Sequence, residues 1–207
     1  MLEPLRRLAA ALLCLLFTSA LPASAVELRP GDLVVIDAGQ ESGGGAAPPR
    51  VIRVDPASGA QELISEAGLL NAPIAVAVDV DGSILVSDSG TADILGAILR
   101  IDPTSGDQQV VEGSFEGLLG LARDPATGQL YASDANEQRI LQVDPQSGGK
   151  TPVTSTALFD LPQALAVAPS GLLYVTSFSS GLWRVVRVDP AVLDSQITLT
   201  FGFGLAS

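Results

Sequence analysis

The sequence predicts an all-β fold of about four similar four-stranded modules, and three recurring strings carry that prediction. Val51-Ile-Arg-Val-Asp55-Pro-Ala-Ser-Gly59 returns as Ile98-Leu-Arg-Ile-Asp102-Pro-Thr-Ser-Gly106 and Ile140-Leu-Gln-Val-Asp144-Pro-Gln-Ser-Gly148, and in shortened form as Val185-Val-Arg-Val-Asp189-Pro190. The four aspartates lie 47, 42 and 45 positions apart. A second string keeps the same beat at Val35-Ile-Asp37, Val86-Ser-Asp88, Ala132-Ser-Asp134 and Val175-Thr-Ser177. A third precedes it, at Asn71 to Asp79, Glu116 to Asp124 and Asp160 to Ala168. The runs involved are short, β-branched and broken by Gly and Pro, which suits strands and not helices of ten or more residues. Four antiparallel strands repeating at about 45 residues are the pattern of β-propeller blades.

The elements follow in order. Residues 1–25 carry Arg6 and Arg7, an apolar run from Leu8 to Phe17 and the small-residue sequence Ala23-Ser24-Ala25. That is the layout of a secretory signal peptide, so the chain is expected to be secreted or periplasmic. The apolar run is too short for a spanning helix, which needs about 20 residues, and no later stretch predicts a membrane span. Cys14 lies in this segment; the rest of the chain holds no Cys, His or Met. Residues 26–207 then divide into units at 26–68, 69–114, 115–158 and 159–201.

Unit one lacks most of its innermost strand A, because only Val26 to Arg29 precede Pro30-Gly31. In unit two the strands are expected at Ile74 to Val78 (A), Ile84 to Ser87 (B), Ala97 to Ile101 (C) and Gln108 to Glu112 (D). Asp81-Gly82 makes the A to B turn, where Gly tolerates a positive φ. The C to D turn is Asp-Pro-x-Ser-Gly: Pro sets φ, the Asp carboxylate accepts backbone N–H groups ahead of it, and Gly takes the left-handed position. Units three and four follow the same register. Gly204-Leu-Ala-Ser207 matches Gly120-Leu-Ala-Arg123, so residues 202–207 read as the start of a further innermost strand. An incomplete, open arc is therefore expected in place of a closed four-bladed ring, and its uncovered apolar blade faces predict self-association. A chain that is a truncated fragment of a longer propeller would have the same appearance.

Gly120-Leu-Ala-Arg-Asp124, Gly128-Gln-Leu-Tyr-Ala-Ser-Asp134 and Asn136-Glu-Gln-Arg139-Ile140 resemble the NHL repeat, and units two and four are similar but looser. The repeats are also similar to those of the gluconolactonase/regucalcin-like (SMP-30) propellers and the streptogramin lyases. The likeness runs over nearly all of residues 26–207. It implies a propeller fold and leaves function open.

Composition narrows the function. With 23 acidic against 11 basic side chains, a net charge of −12 and 4% aromatics, the chain is a poor partner for nucleic acid or an anionic membrane surface. Without His or Cys beyond residue 25 there is no Ser-His-Asp triad, thiolate nucleophile or imidazole base, and zinc, copper and haem iron lose their usual ligands. A lyase mechanism needing His is not supplied. Lys150, the one lysine, sits beside Gly148 and Gly149 in a turn and makes a poor base.

Strand alternation puts the variable B to C and D to A connections on one face, the natural place for recognition. These connections include 38–50 with its Gly43 to Gly45 run, 89–96, 135–138, and 178–184 with Phe178 and Trp183 as aromatic candidates. On the same face two oxygen-bearing sets repeat. Asn71, Glu116 and Asp160, 45 and 44 residues apart, precede strand A at the mouth of the axis; Asp37, Asp88 and Asp134 end strand B. Converging from separate blades they could hold calcium, which would polarise a carbonyl or lactone oxygen. The resemblance to gluconolactonases implies the same use of Glu, Asn and Asp around the channel. Each side chain capping its own turn is the competing reading. The expectation is thus a secreted propeller module binding a protein or small molecule; the alternative is a calcium-dependent gluconolactonase-like hydrolase.

Overall fold

The structure, a computed structural model, describes residues 26–39, 47–90, 95–155 and 159–201. The readings placed on residues 1–25, the Gly43 to Gly45 run and 202–207 lie outside the described residues. Blade one holds β1 (Leu33–Asp37), β2 (Arg50–Val54) and β3 (Gln61–Glu66), a three-stranded sheet without strand A. Blade two holds β4 (Pro73–Val78), β5 (Ile84–Asp88), β6 (Gly96–Ile101) and β7 (Gln108–Phe115), each overlapping its predicted strand. Blade three holds β8 (Leu118–Arg123), β9 (Leu130–Asp134), β10 (Arg139–Val143) and a short β11 (Lys150–Pro152). Blade four holds β12 (Leu161–Val167), β13 (Leu173–Ser179), β14 (Leu182–Val188) and β15 (Gln196–Phe201). Each sheet is an antiparallel meander in chain order, and no described helix is long and apolar enough to cross a membrane.

The Asp-Pro-x-Ser-Gly turns form as their chemistry requires. Gly59, Gly106 and Gly148 have φ between +73° and +77°, and their N–H groups donate to the carbonyls of Asp55, Asp102 and Asp144 at 2.8 Å. The Asp55 and Asp144 carboxylates also accept from the backbone of residues 57 and 146 and from the hydroxyls of Ser58 and Ser147. Those hydroxyl bonds, first, and the backbone bonds, second, hold both carboxyls below the usual aspartate value. The A to B turn of blade three reuses the device: Gly128 donates to the Asp124 carbonyl and Thr127 Oγ1 to its carboxylate.

Alternation along each strand divides every blade into two apolar faces. One face of blade two, with Leu85 and Ile98, packs on Leu130, Ala132, Leu141 and Val143 of blade three around fully buried Phe115. Its other face, with Ile84, Val86, Leu99 and Ile101, meets Val34, Ile36 and Val51 of blade one. Tyr131 and Ile140 of blade three meet Leu173, Val175, Val186 and Val188 of blade four. Each such side chain, fully buried, contributes about 1.5–3 kcal/mol, so three interlocked interfaces are the principal source of stability in a chain without disulfides.

Polar links cross the same interfaces. Each complete blade has a bulge in its innermost strand, which strands an N–H group, and a hydroxyl on strand B fills it. Ser87 Oγ accepts from Ala75 N at 2.9 Å and donates to the Leu119 carbonyl of blade three at 2.7 Å. Ser133 Oγ accepts from Gly120 N at 2.7 Å and donates to the Gln163 carbonyl of blade four at 2.6 Å. Thr176 Oγ1 accepts from Ala164 N at 3.1 Å and turns back to Ala164 O. Gly120 is required here, because a Cβ would stand 2.1 Å from the Gln163 carbonyl.

A charged link joins blades two and three. The buried Asp79 carboxylate accepts from Arg100 Nη2 at 2.9 Å and pairs with Arg123 Nε at 3.0 Å, and Arg100 also donates to the Pro145 carbonyl of blade three. The blades do not close into a ring. Innermost strands β4, β8 and β12 pack side by side, β1 packs against β4, and the strand packing between sheets runs from blade one through blade four without returning. The open-arc prediction therefore stands for the described residues.

Candidate functional site

The three innermost strands enclose a groove of about 350 Å³ along the concave axis of the arc. Its walls are Ile74 and Ala75 of β4, Leu119 to Leu121 of β8, and Gln163 to Leu165 of β12. Apart from Gln163 the lining side chains are small or apolar, and at Gly120 strands β8 and β12 approach too closely for a Cβ. None of the lining residues is ionisable. A larger cleft of about 490 Å³ lies on the opposite, turn face, between the 26–28 segment and the turns of blade two. Its Arg100 and Asp81 are already bonded to one another and its Asp102 to the backbone of Thr104, so the groove is the better candidate.

The predicted rim residues stand at the N-terminal ends of the three groove-lining strands. Asn71, Glu116 and Asp160 are all exposed and precede β4, β8 and β12 by one or two positions, so the shared register is real. The three residues are bonded differently. Asn71 Nδ2 donates to the Leu69 carbonyl at 2.8 Å, Asp160 accepts from the Ser179 hydroxyl, and Glu116 offers its backbone carbonyl to Asn136 Nδ2 at 2.7 Å.

Asp37, Asp88 and Asp134 close strand B as expected, each within its own blade. Asp37 accepts from Gly39 N at 3.0 Å and from the Arg50 guanidinium at 2.8 Å; the first bond and then the second hold its carboxyl below the ordinary value. Buried Asp88 accepts from Asn71 N, Ala72 N and Gly90 N, tying the chain entering the blade to the B to C connection. Asp134 accepts from Glu137 N at 3.3 Å. Among the described residues no group of three or more Asp or Glu side chains is arranged to hold a metal ion. The carboxylates of Asp37, Asp88, Asp134 and Asp160 accept hydrogen bonds from groups of their own blades.

Phe178 and Trp183 are not loop residues. Ser180 and Gly181 have φ of +50° and +81° and make a two-residue hairpin, so both rings sit on paired strands directly opposite each other. Their centroids are 5.1 Å apart at a 56° tilt, and Trp183 is 37% exposed. Lys150 likewise opens β11 in place of a turn; its Nζ binds Glu112 at 3.1 Å and Ser114, 4.5 Å above the Phe115 ring. What the sequence reading missed is the hydroxyl at Ser87, Ser133 and Thr176, whose signal was the second recurring string itself.

No protein-family model matches the chain. Over 83 residues, 39% of the chain, it is 40% identical to teneurin-3 of Danio rerio, a stretch that spans 3% of that protein. The nidogen/laminin complex contains a chain that superimposes with a TM-score of 0.66 at 15% identity, covering 84% of this chain and 63% of that one. A gluconolactonase from Xanthomonas campestris superimposes with a TM-score of 0.57 at 20% identity, over 73% and 55% of the two chains. An auxiliary nutrient binding protein from Bacteroides ovatus gives 0.55 at 15% identity, over 73% and 36%. The chain is thus a β-propeller in fold, of open-arc form, spanning under two thirds of the length of the propeller chains it resembles.

Proposed function

We propose that this chain is an exported β-propeller binding module whose concave groove receives an apolar segment of a protein or small-molecule ligand, with the acidic rim favouring a cationic flank. The observation that carries this reading is the groove lining: walls from three blades that are apolar or small except for Gln163, with no ionisable group on which acid–base or nucleophilic chemistry could run. The carboxylates Glu116 and Asp160 are exposed just before two of its strands, and the chain is strongly acidic. Two of the similar folds belong to proteins described by what they bind or join, a nidogen/laminin complex and a nutrient binding protein. Export rests on the 1–25 segment.

The test is an array of short peptides, apolar and flanked by Lys or Glu, probed with the labelled chain. Retention on apolar peptides with Lys flanks, lost in Ile74→Glu and weakened in Glu116→Gln, supports the module. No retention by any peptide removes the peptide-binding form of this reading. A calcium titration by calorimetry runs beside it: saturable heat that disappears in Glu116→Ala would replace the binding module with a calcium-dependent hydrolase.

A further inference from the structure

The two flanks of the arc are unlike each other in a way the interior explains. Every blade presents a forward pair to the next blade and a backward set to the previous one. The forward pairs are Val34 and Val51, Leu85 and Ile98, and Tyr131 and Ile140, all packed at interfaces. Their counterparts in blade four are Tyr174 and Val185, which meet no further blade among the described residues; Tyr174 is 36% exposed. The backward sets begin with Ile84 and Val86, Leu130 and Ala132, and Leu173 and Val175, again all packed. Their counterparts in blade one are Leu33 and Val35, 52% and 38% exposed.

We propose that a second copy of this chain docks head to tail, its blade one on the forward flank of blade four. The occupant follows from the internal interfaces: the flank left open on blade four is the forward half of a contact made three times within the molecule, and the flank left open on blade one is the matching backward half. Polar groups agree. Arg187 stands where Arg53 and Arg100 stand in the earlier blades, but Ala168 replaces the aspartate of Asp79, and Arg187 has no hydrogen bond or ion pair among the described residues. In the interior, Arg100 reaches the Pro145 carbonyl of the following blade's Asp-Pro turn. Pro56, in the same turn of blade one, is the equivalent acceptor on a second copy. A heterologous contact of this kind closes into a two-copy ring when the accumulated rotation permits and otherwise propagates.

Sedimentation of the full chain, expressed with its own N-terminus so that the host performs any processing, tests the proposal. The wild type is expected to sediment as two or more copies of a chain of at most 21.2 kDa. Leu33→Lys and Tyr174→Asp, both at exposed strand positions, should each give single copies with unchanged strand circular dichroism. An equimolar mixture should return to two copies, because one unaltered pair of flanks survives. A wild type that sediments as a single copy overturns the proposal. So does loss of association in only one of the two variants, since that would mean like flanks pairing with like.

Discussion

Blades two and three and blades one and four are built from the same recurring strings, yet they end in different states. In the middle pair both faces are covered: Leu85, Ile98, Leu130 and Ala132 are fully buried, Ser87 and Ser133 span to a neighbour's backbone, and Asp79 is locked between two arginines. In the outer pair the equivalent Leu33 is half exposed, the Thr176 hydroxyl stays within its own blade on Ala164 of β12, and Ala168 stands at the sequence position of Asp79, so the arginine position of blade four lacks that carboxylate. The local code makes a blade; only a neighbour makes it a buried one.

The largest expected effect contrasts packing. Phe115→Ala, at full burial beside Lys150, should cost about 3–5 kcal/mol in urea unfolding, whereas Leu33→Ala measured at high dilution should cost under about 1 kcal/mol. Equal losses would erase the distinction between covered and open faces. Next comes the hydroxyl link. Ser133→Ala leaves the Gly120 N–H and the Gln163 carbonyl unpaired in a buried place and should cost about 1–3 kcal/mol, with Thr176→Ala clearly below it. A smaller change tests the missing acid: Ala168→Asp gives Arg187 the partner its counterparts have and should raise stability by about 0.2–1 kcal/mol, an increment that salt removes.

The smallest effect sharpens the comparison by predicting no difference. Asp55 in blade one and Asp144 in blade three both have lowered carboxyl values from the same hydroxyl and backbone bonds. A value lower in the folded chain than in the unfolded one gives stability that is present above the ordinary carboxylate range and is lost as pH falls through the lowered values, below about pH 4. Ser58→Ala and Ser147→Ala should flatten this acid dependence of the unfolding midpoint by similar amounts. A clear inequality would mean that the turns, too, depend on position in the arc.

The legible part of the molecule was the part governed by neighbours in sequence. Strand limits in blade two came within a few residues because β-branched runs ended at Asp-Gly and Asp-Pro turns whose hydrogen bonds close within five residues. Asp124-Pro-Ala-Thr-Gly128 makes the same turn at an A to B connection, where Thr127 stands in for the serine and the repeat no longer flags it. The strand positions of Phe178 and Trp183 are not legible in the sequence, because Ser180-Gly181 is a weaker hairpin signal than Asn-Gly, although Ser180 adopts the required positive φ. At the site, the periodic positions of Asn71, Glu116 and Asp160 were visible, but the groove was not. Its walls are ordinary strand residues, mainly alanine, leucine, isoleucine and glycine with one glutamine, that mean nothing until three strands about 45 residues apart lie side by side.

The hydroxyls of Ser87 and Ser133 reach main-chain carbonyls of the following blade, an acceptor that every amino acid supplies. Recognition between modules is therefore largely indifferent to which side chains the neighbour carries there, so long as its innermost strand follows the same path. Such joints tolerate duplication, loss and exchange of whole units during evolution, and they give protein engineers a place to splice blades from different sources without redesigning both partners.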